Sequence, residues 1–373
     1  MEFIQKNFGT EMNVKNIFNA FDHGNTYVKH SELNSGHIND TFIVDTASGR
    51  KYILQRINHH IFKDVVGLVN NKVLISNHIR KQFSNLSEEE FGKTHLTFIK
   101  AKNSEVYYHK QQENFWNMMA FIEGGITYEI VKNETIAYEG GKLLGDFLNQ
   151  TADFDSSELI NVIPNFHDMS FRFKQHASSI QSASKDKLKK AAKLIDMVSD
   201  LKEEMFILQH LKDAGELPIR VTHNDAKISN ALFDTNHKGI CMIDTDTVMQ
   251  GIIHYDFGDA IRTICNTAAE DEKDLSKVDF NLDYYHTYTK GFLETAGNSL
   301  TSIEKKYLTL GAKSMVFIIA LRFLTDYLNN DCYYKIKYPE HNLDRAKNQF
   351  RLLECLTEKV QISYCSCFRT ITN

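Results

Sequence analysis

The segment Val221 to Asp234 (VTHNDAKISNALFD) of this 373-residue chain carries His223, Asp225 and Asn230 at H-x-D-x-x-x-x-N spacing. Fourteen positions beyond Asn230 comes Ile243-Asp244-Thr245-Asp246. The three-residue pattern alone is only suggestive, but joined to a carboxylate at the end of a following strand it is far more specific. Phosphoryl transfer would use such a set. It needs an acceptor for the proton of the attacking hydroxyl, a divalent metal on the polyphosphate, and ligands for that metal. A short loop can aim Asp225 at the hydroxyl while Asn230 turns its amide oxygen to the metal. Asp244 then completes an all-oxygen coordination sphere, which suits Mg²⁺. His223 reads as a brace for the loop. The competing reading is a solvated loop with an Asx turn. The apolar flanks Ile219, Val221, Ala231, Leu232 and Phe233 weigh against it, because they would bury a turn that a purely structural loop leaves at the surface.

The elements that must position these residues change character along the chain. From Thr26 to about Glu123, β-rich runs (TYVKHSEL, then DTFIVDTASGRKYILQRI) alternate with turns at 34–37 and 47–49, which predicts an antiparallel sheet. Asp64 is placed to cap a helix through Ile79, and THLTFIK onward predicts further strands. After Gly124-Gly125 the period becomes helical, with helices over Glu139–Asn149 and Lys185–Leu211 and a buried helix or helix pair over Ile303–Leu328. ALFD and GICMID, on either side of a turn at Thr235–Gly239, form a hairpin inside this helical part. Two lobes are expected, residues 1–123 and 124–373, with a ligand in the cleft between them.

Composition sets limits. With 43 basic and 48 acidic residues the net charge is −5, so no broad attraction to nucleic acid or anionic lipid is expected. The start MEFIQKNFGT shows no secretory pattern, and the apolar run Met315 to Leu324, which contains Arg322, is short for a membrane span. Six scattered cysteines without CxxC modules suit a reduced, cytoplasmic chain, with Cys365 and Cys367 as the only close pair. Sixteen histidines include no HExxH.

The chain resembles the aminoglycoside phosphotransferase and choline kinase superfamily, relatives of the protein kinases, and within it the N-acetylhexosamine 1-kinases. The likeness is carried by SGHINDTF (35–42), YILQRIN (52–58), FIEGG (121–125), NFHDM (165–169), THNDAKISNALFD (222–234), MIDTDTVMQGIIHYDFGDAIR (242–262) and LRFLTDYLNNDCYYK (321–335). It implies an α+β, protein-kinase-like bilobal fold: an N-lobe of antiparallel sheet plus helix, and a mostly helical C-lobe with an embedded hairpin. It also implies ATP and Mg²⁺ as cofactors and a small-molecule sugar as the partner. The γ-phosphoryl group would pass to the anomeric hydroxyl of an N-acetylhexosamine.

Residue by residue, the resemblance implies Asp225 as catalytic base and Asn230, Asp244 and Asp246 as metal ligands. Charge on the nucleotide phosphates normally comes from a Lys on the third N-lobe strand; here YILQRI offers Arg56, whose guanidinium suits phosphate oxygens. The following helix contains no Glu to pair with it, so its partner is left open, and an exposed strand cation is the alternative. Phe121 to Glu123 would present backbone groups to adenine, and the turn with His37 would lie near the sugar. Arg322 and Tyr333 would bind sugar or acetamido oxygens beside Asp225; against this stands a simple Arg322–Asp326 pair at i, i+4. Tyr255 to Asp259 reads as a loop with Asp259 capping the helix AIRTI. The alternatives in function are a kinase for choline, ethanolamine, homoserine or an aminoglycoside, and an inactive nucleotide-binding module.

Overall fold

The computed structural model describes residues 13–33 and 38–371, with side chains to residue 361. His37 and its turn, and the side chains of Cys365 and Cys367, lie outside the described residues. The chain divides into two compact units, Met1–Gly124 and Gly125–Asn373. The chain has a kinase-like α+β fold, with an antiparallel sheet and helices in the first unit and mostly helices in the second.

The first unit runs α1 (Val14–Phe18), β1 (Tyr27–Leu33), β2 (Asp40–Thr46), β3 (Lys51–Ile57), α2 (Val65–Gln82), the short α3 (Glu88–Phe91), β4 (Tyr108–Gln111) and β5 (Asn114–Ala120). The strands form one antiparallel sheet in the order β1-β2-β3-β5-β4. Alternation sorts its side chains onto two faces. Phe42, Val44, Tyr52, Leu54, Trp116 and Met118 share one face and bury Val14, Ile17 and Phe18 of α1. The opposite face receives α2, whose N-terminus is capped by Asp64 accepting from the Gly67 N–H at 2.8 Å. The segment after α3 was expected as a strand. It instead makes two hydrogen bonds to β5, Ile99 N–H to Met118 O and Ala120 N–H to Thr97 O, and forms an isolated bridge at Phe98.

The second unit contains α4 (Glu134–Gln150), α5 (Met169–Ser182), α6 (Lys185–Asp213), β6 (Arg220–Thr222), β7 (Ala231–Phe233), β8 (Gly239–Met242), β9 (Met249–Gly251), α7 (Ile253–Ile264), α8 (Leu282–Ala296), α9 (Ser302–Lys306), α10 (Leu308–Leu328) and α11 (His341–Ile371). β7 and β8 are the embedded hairpin, and β6 pairs with β9. α10 is mostly apolar, interrupted by Lys313, Arg322 and Asp326, and forms the centre, packed by α5, α6, α7 and α11. The run expected to be short is therefore part of a 21-residue helix, long and apolar enough by composition to cross a membrane, yet with most of its side chains buried inside the unit. Two crossings depend on glycine. A Cβ on Gly141 of α4 would sit 2.2 Å from Tyr288 O of α8, and one on Gly258 of α7 would sit 2.2 Å from Gly311 O of α10.

A further expectation fails in the second unit. α7 begins at Ile253, so Asp259 does not cap a helix; it is buried in mid-helix with Arg262, whose Nε donates to it at 2.9 Å. The reason is tertiary: His254, Tyr255, Asp256 and Phe257 are all buried, and packing extends the helix through residues whose local signal was that of a cap.

Candidate active site

β6 ends at Thr222, and Asn224 turns the chain with φ 61°, a left-handed conformation that Asn tolerates better than most residues. Its Nδ2 holds the turn by donating to Thr222 O, Thr222 Oγ1 and Thr247 O. Below the turn, Asp256 of α7 accepts the His223 N–H at 2.7 Å and the Asn224 N–H at 2.6 Å. Burial pushes the Asp256 carboxyl up to about 6, against the pull of His223 and the two backbone donors. His223 Nε2 donates to Ile243 O at 2.9 Å, which makes it the brace its position suggested.

Asp225 follows directly. Lys227 Nζ at 3.0 Å and Asn230 Nδ2 at 2.8 Å both donate to its Oδ2. Burial works to raise the Asp225 pKa, but Lys227, His223 and Asn230 outweigh it and hold the carboxyl below its usual range. A turn of 3₁₀ helix (Ile228–Asn230) brings Asn230 back under the loop, where Nδ2 also donates to Asp225 O at 2.8 Å. The hairpin then returns the chain, and the Ile243 N–H donates to Asn230 O at 2.8 Å. Asp244 therefore emerges beside Asn230. It is exposed and left-handed, with φ 59° and ψ 55°, a conformation unfavourable for a non-glycine residue and of the kind that gathers at functional sites. Asp246 is buried in the 245–247 turn.

Lys227 was not singled out from the sequence, although it stands two positions after Asp225. Burial disfavours its charge, yet Asp225, Asp244 and Asp259 together raise its pKa and keep it an ammonium. Asp259 is pushed upward by burial and restrained by Arg262, which also pairs with Glu270. These buried charges fix α7 against the loop, and Ile228 N–H bonds Thr263 Oγ1 at 3.1 Å.

A divalent metal fits this donor set. With the Asn230 amide nitrogen turned to Asp225, its carbonyl oxygen is the atom left for a cation, next to the exposed Asp244 carboxylate. Among the described residues no three His, Cys, Asp or Glu side chains gather into a metal cluster, so a mixed amide and carboxylate site is the one that the loop provides.

The second group of residues lies on α10 and the segment after it. The Arg322 guanidinium sits against three aromatic rings, Phe166 at 5.4 Å and Tyr333 and Tyr334 at 5.6 Å each, and Nη2 lies 3.4 Å from the Tyr333 hydroxyl. No Arg322–Asp326 pair forms. Asp326 instead accepts the Tyr333 and Tyr334 N–H groups at 2.9 Å each and Asn342 Nδ2 at 2.9 Å, fixing the chain that carries the two tyrosines. His167, from the NFHDM segment, links this cluster to the loop: its Nε2 donates to Asn224 O at 3.2 Å. Burial first, and then the charge of Arg322, lower the His167 pKa to about 3, while Asn224 O and Asp225 pull the other way. Arg172 is nearby, its pKa lowered to about 10 by burial and by repulsion from Arg322. Neither His167 nor Arg172 was singled out as a site residue.

The remaining expected residues belong to the first unit. Arg56 pairs with Asp40 on β2, directly opposite in register, with Nε to Oδ2 at 2.7 Å. The Phe121 N–H is used by Lys51 O at 3.1 Å, which leaves its carbonyl as the backbone group it can offer, and Glu123 is exposed beside Lys51.

An aspartate set between lysine and asparagine on a loop braced from a helix is an arrangement suited to phosphoryl transfer. Residues 29–280 match the phosphotransferase enzyme family (APH), and the chain belongs to that family. Its fold is shared by the microcompartment-associated aminopropanol kinase (12% identity, TM-score 0.59, covering 93% of this chain and 96% of that one). It is also shared by choline kinase from Cryptosporidium parvum (14%, 0.56, 93% and 94%) and by an amicoumacin kinase in complex with AMP-PNP and Ca²⁺ (10%, 0.56, 88% and 90%). The protein is therefore a phosphotransferase of that family.

Proposed function

We propose that the protein is an ATP- and Mg²⁺-dependent kinase that phosphorylates the anomeric hydroxyl of an N-acetylhexosamine. The observation that carries the choice of acceptor is the Arg322 cluster. An amine substrate calls for acidic or unoccupied aromatic surroundings, whereas here Arg322 already occupies the aromatic surfaces and Arg172 adds a second positive charge. Guanidinium, phenol and a neutral imidazole are instead donors suited to hydroxyl and acetamido oxygens. Such groups discriminate strongly against ligands that lack the matching oxygens.

In this reading the Oδ2 of Asp225 is held by Lys227 and Asn230, and Oδ1 accepts the hydroxyl proton. Its depressed pKa keeps it ionised and ready to do so at neutral pH. Lys227 places a positive charge beside Asp225, next to the attacking hydroxyl oxygen. Asn230, Asp244 and Asp246 would hold Mg²⁺, and the metal would neutralise charge on the polyphosphate. Positioning contributes more than proton transfer, because the transition state is loose.

The test is ADP release with Mg·ATP across N-acetylhexosamines, neutral hexoses, amino alcohols and aminoglycosides, with Asp225→Asn as control. Turnover is expected on N-acetylglucosamine or N-acetylgalactosamine, reduced roughly 10²- to 10⁴-fold in the variant. Turnover of amines alone would defeat the sugar assignment.

A further inference from the structure

Two residues of α7 anchor the Asp225 loop at its ends. Asp256 accepts the His223 and Asn224 N–H groups, and Thr263 Oγ1 accepts the Ile228 N–H at 3.1 Å. They stand about two helical turns apart, so they mark one stripe of α7 running beneath residues 223–228. Asp259 falls between them in the same stripe, three positions after Asp256 and four before Thr263. That places it under the part of the loop that carries Asp225 and Lys227. It is 4% exposed, its charge repels that of Asp225, and together with Asp225 and Asp244 it supports the Lys227 ammonium.

Anchoring the loop does not call for an acid here, because Asp256 and Thr263 already hold both ends by hydrogen bonds. A buried carboxylate also costs free energy unless it is paired. Arg262 pairs it from one side: Nε at 2.9 Å and Nη2 at 2.8 Å both meet Oδ1. The remaining arm of the guanidinium, Nη1, donates to Glu270 at 2.8 Å. Glu270, Arg262, Asp259, Lys227 and Asp225 thus form a row of alternating charge that runs from a part-exposed acid to the proton acceptor.

We propose that Asp259 is a positioning residue for phosphoryl transfer. It acts through Lys227, fixing the ammonium against Asp225 Oδ2 so that Oδ1 faces the attacking hydroxyl, and Arg262 with Glu270 fixes Asp259 in turn. The inference rests on the kinase reading, whichever hydroxyl is the acceptor.

The test is steady-state kinetics of the full chain with Mg·ATP and an acceptor that the wild type turns over, as a double-mutant cycle between Asp259 and Lys227. Asp259→Asn is expected to lower kcat about ten- to a hundredfold, the effect of displacing a catalytic group by up to about an ångström, with both KM values within about threefold. In a Lys227→Met background the same substitution should cost less than about twofold, because the group it acts through is gone. Asp259→Asn/Arg262→Gln removes both charges of the pair, leaves neither of them buried alone, and serves if Asp259→Asn does not fold. Its kcat should stay about ten- to a hundredfold below wild type. Wild-type kcat in Asp259→Asn, an undiminished cost in the Lys227→Met background, or recovery of kcat when Arg262 is also replaced would each overturn the inference, the last by reducing Asp259 to one half of a structural ion pair. Wild-type protein that transfers phosphate to no acceptor would overturn the kinase reading itself, and this inference with it.

Discussion

Asn230 donates its amide nitrogen to both the carbonyl and the carboxylate Oδ2 of Asp225, at 2.8 Å each. One side chain thus fixes the proton acceptor and, by the same rotamer, directs its own carbonyl oxygen to the opposite side. Asn230→Asp replaces that donor with a second carboxylate. The Asp225 pKa should rise, because like charges at this separation disfavour ionisation. The acid limb of the kcat/KM profile should move to higher pH, which a pH–rate series on wild type and variant would reveal.

Asp256 holds the same loop from below. Asp256→Ala leaves the His223 and Asn224 N–H groups buried without an acceptor, at about 1–3 kcal/mol each. A lower kcat with acceptor KM little changed is expected, together with a reduced melting temperature. Gly258→Ala should act on the same machinery from a distance, since its Cβ would meet the Gly311 carbonyl and push α7 off α10. Steady-state kinetics and thermal melts on both variants check this.

Acid should destabilise the second unit through its buried histidines. Burial lowers His176 to about 4 from an ordinary 6.5, so between those values the unfolded chain binds the proton and the folded chain does not. Stability is complete above pH 6.5 and falls as pH drops toward 4, by about 3 kcal/mol for this one group. His254, lowered to about 4 by burial, behaves alike, while Asp256, raised to about 6, works in the opposite sense, losing stability as pH rises through 6. Urea titrations at pH 7 and pH 4.5 should show a smaller difference for His176→Leu than for wild type.

Arg322→Ala should raise the KM for an N-acetylhexosamine about tenfold or more, the value of a hydrogen bond from a charged group, with ATP KM little changed. Because Tyr333 and Tyr334 remain in place, the emptied aromatic surface should begin to accept cationic amines, measurable as new turnover on choline or ethanolamine.

Much of the site was legible in local sequence. Asp225, Asn230 and Asp244 lie within one loop and one hairpin, and short-range turn chemistry brings Asn230 O to the Ile243 N–H. Residues joined by distant segments were not legible. Asp256 acts 32 and 33 positions from the N–H groups it accepts, and His167 bonds a carbonyl 57 positions away.

By itself the sequence determined the antiparallel first unit, the helical second unit with its hairpin, and the turn that carries Asp225 and Asn230, because strand alternation, helical period and turn residues act over a few positions. Tertiary structure decided which face of β3 meets α1 and which meets α2, and so that Gln55 rather than Arg56 meets the helix. Alternation separates two faces without saying what covers each. Packing likewise drew Asp259 into a helix and left Arg322 to the aromatic rings rather than to Asp326, since burial and long-range partners outweigh the local preference for a cap or an i, i+4 pair.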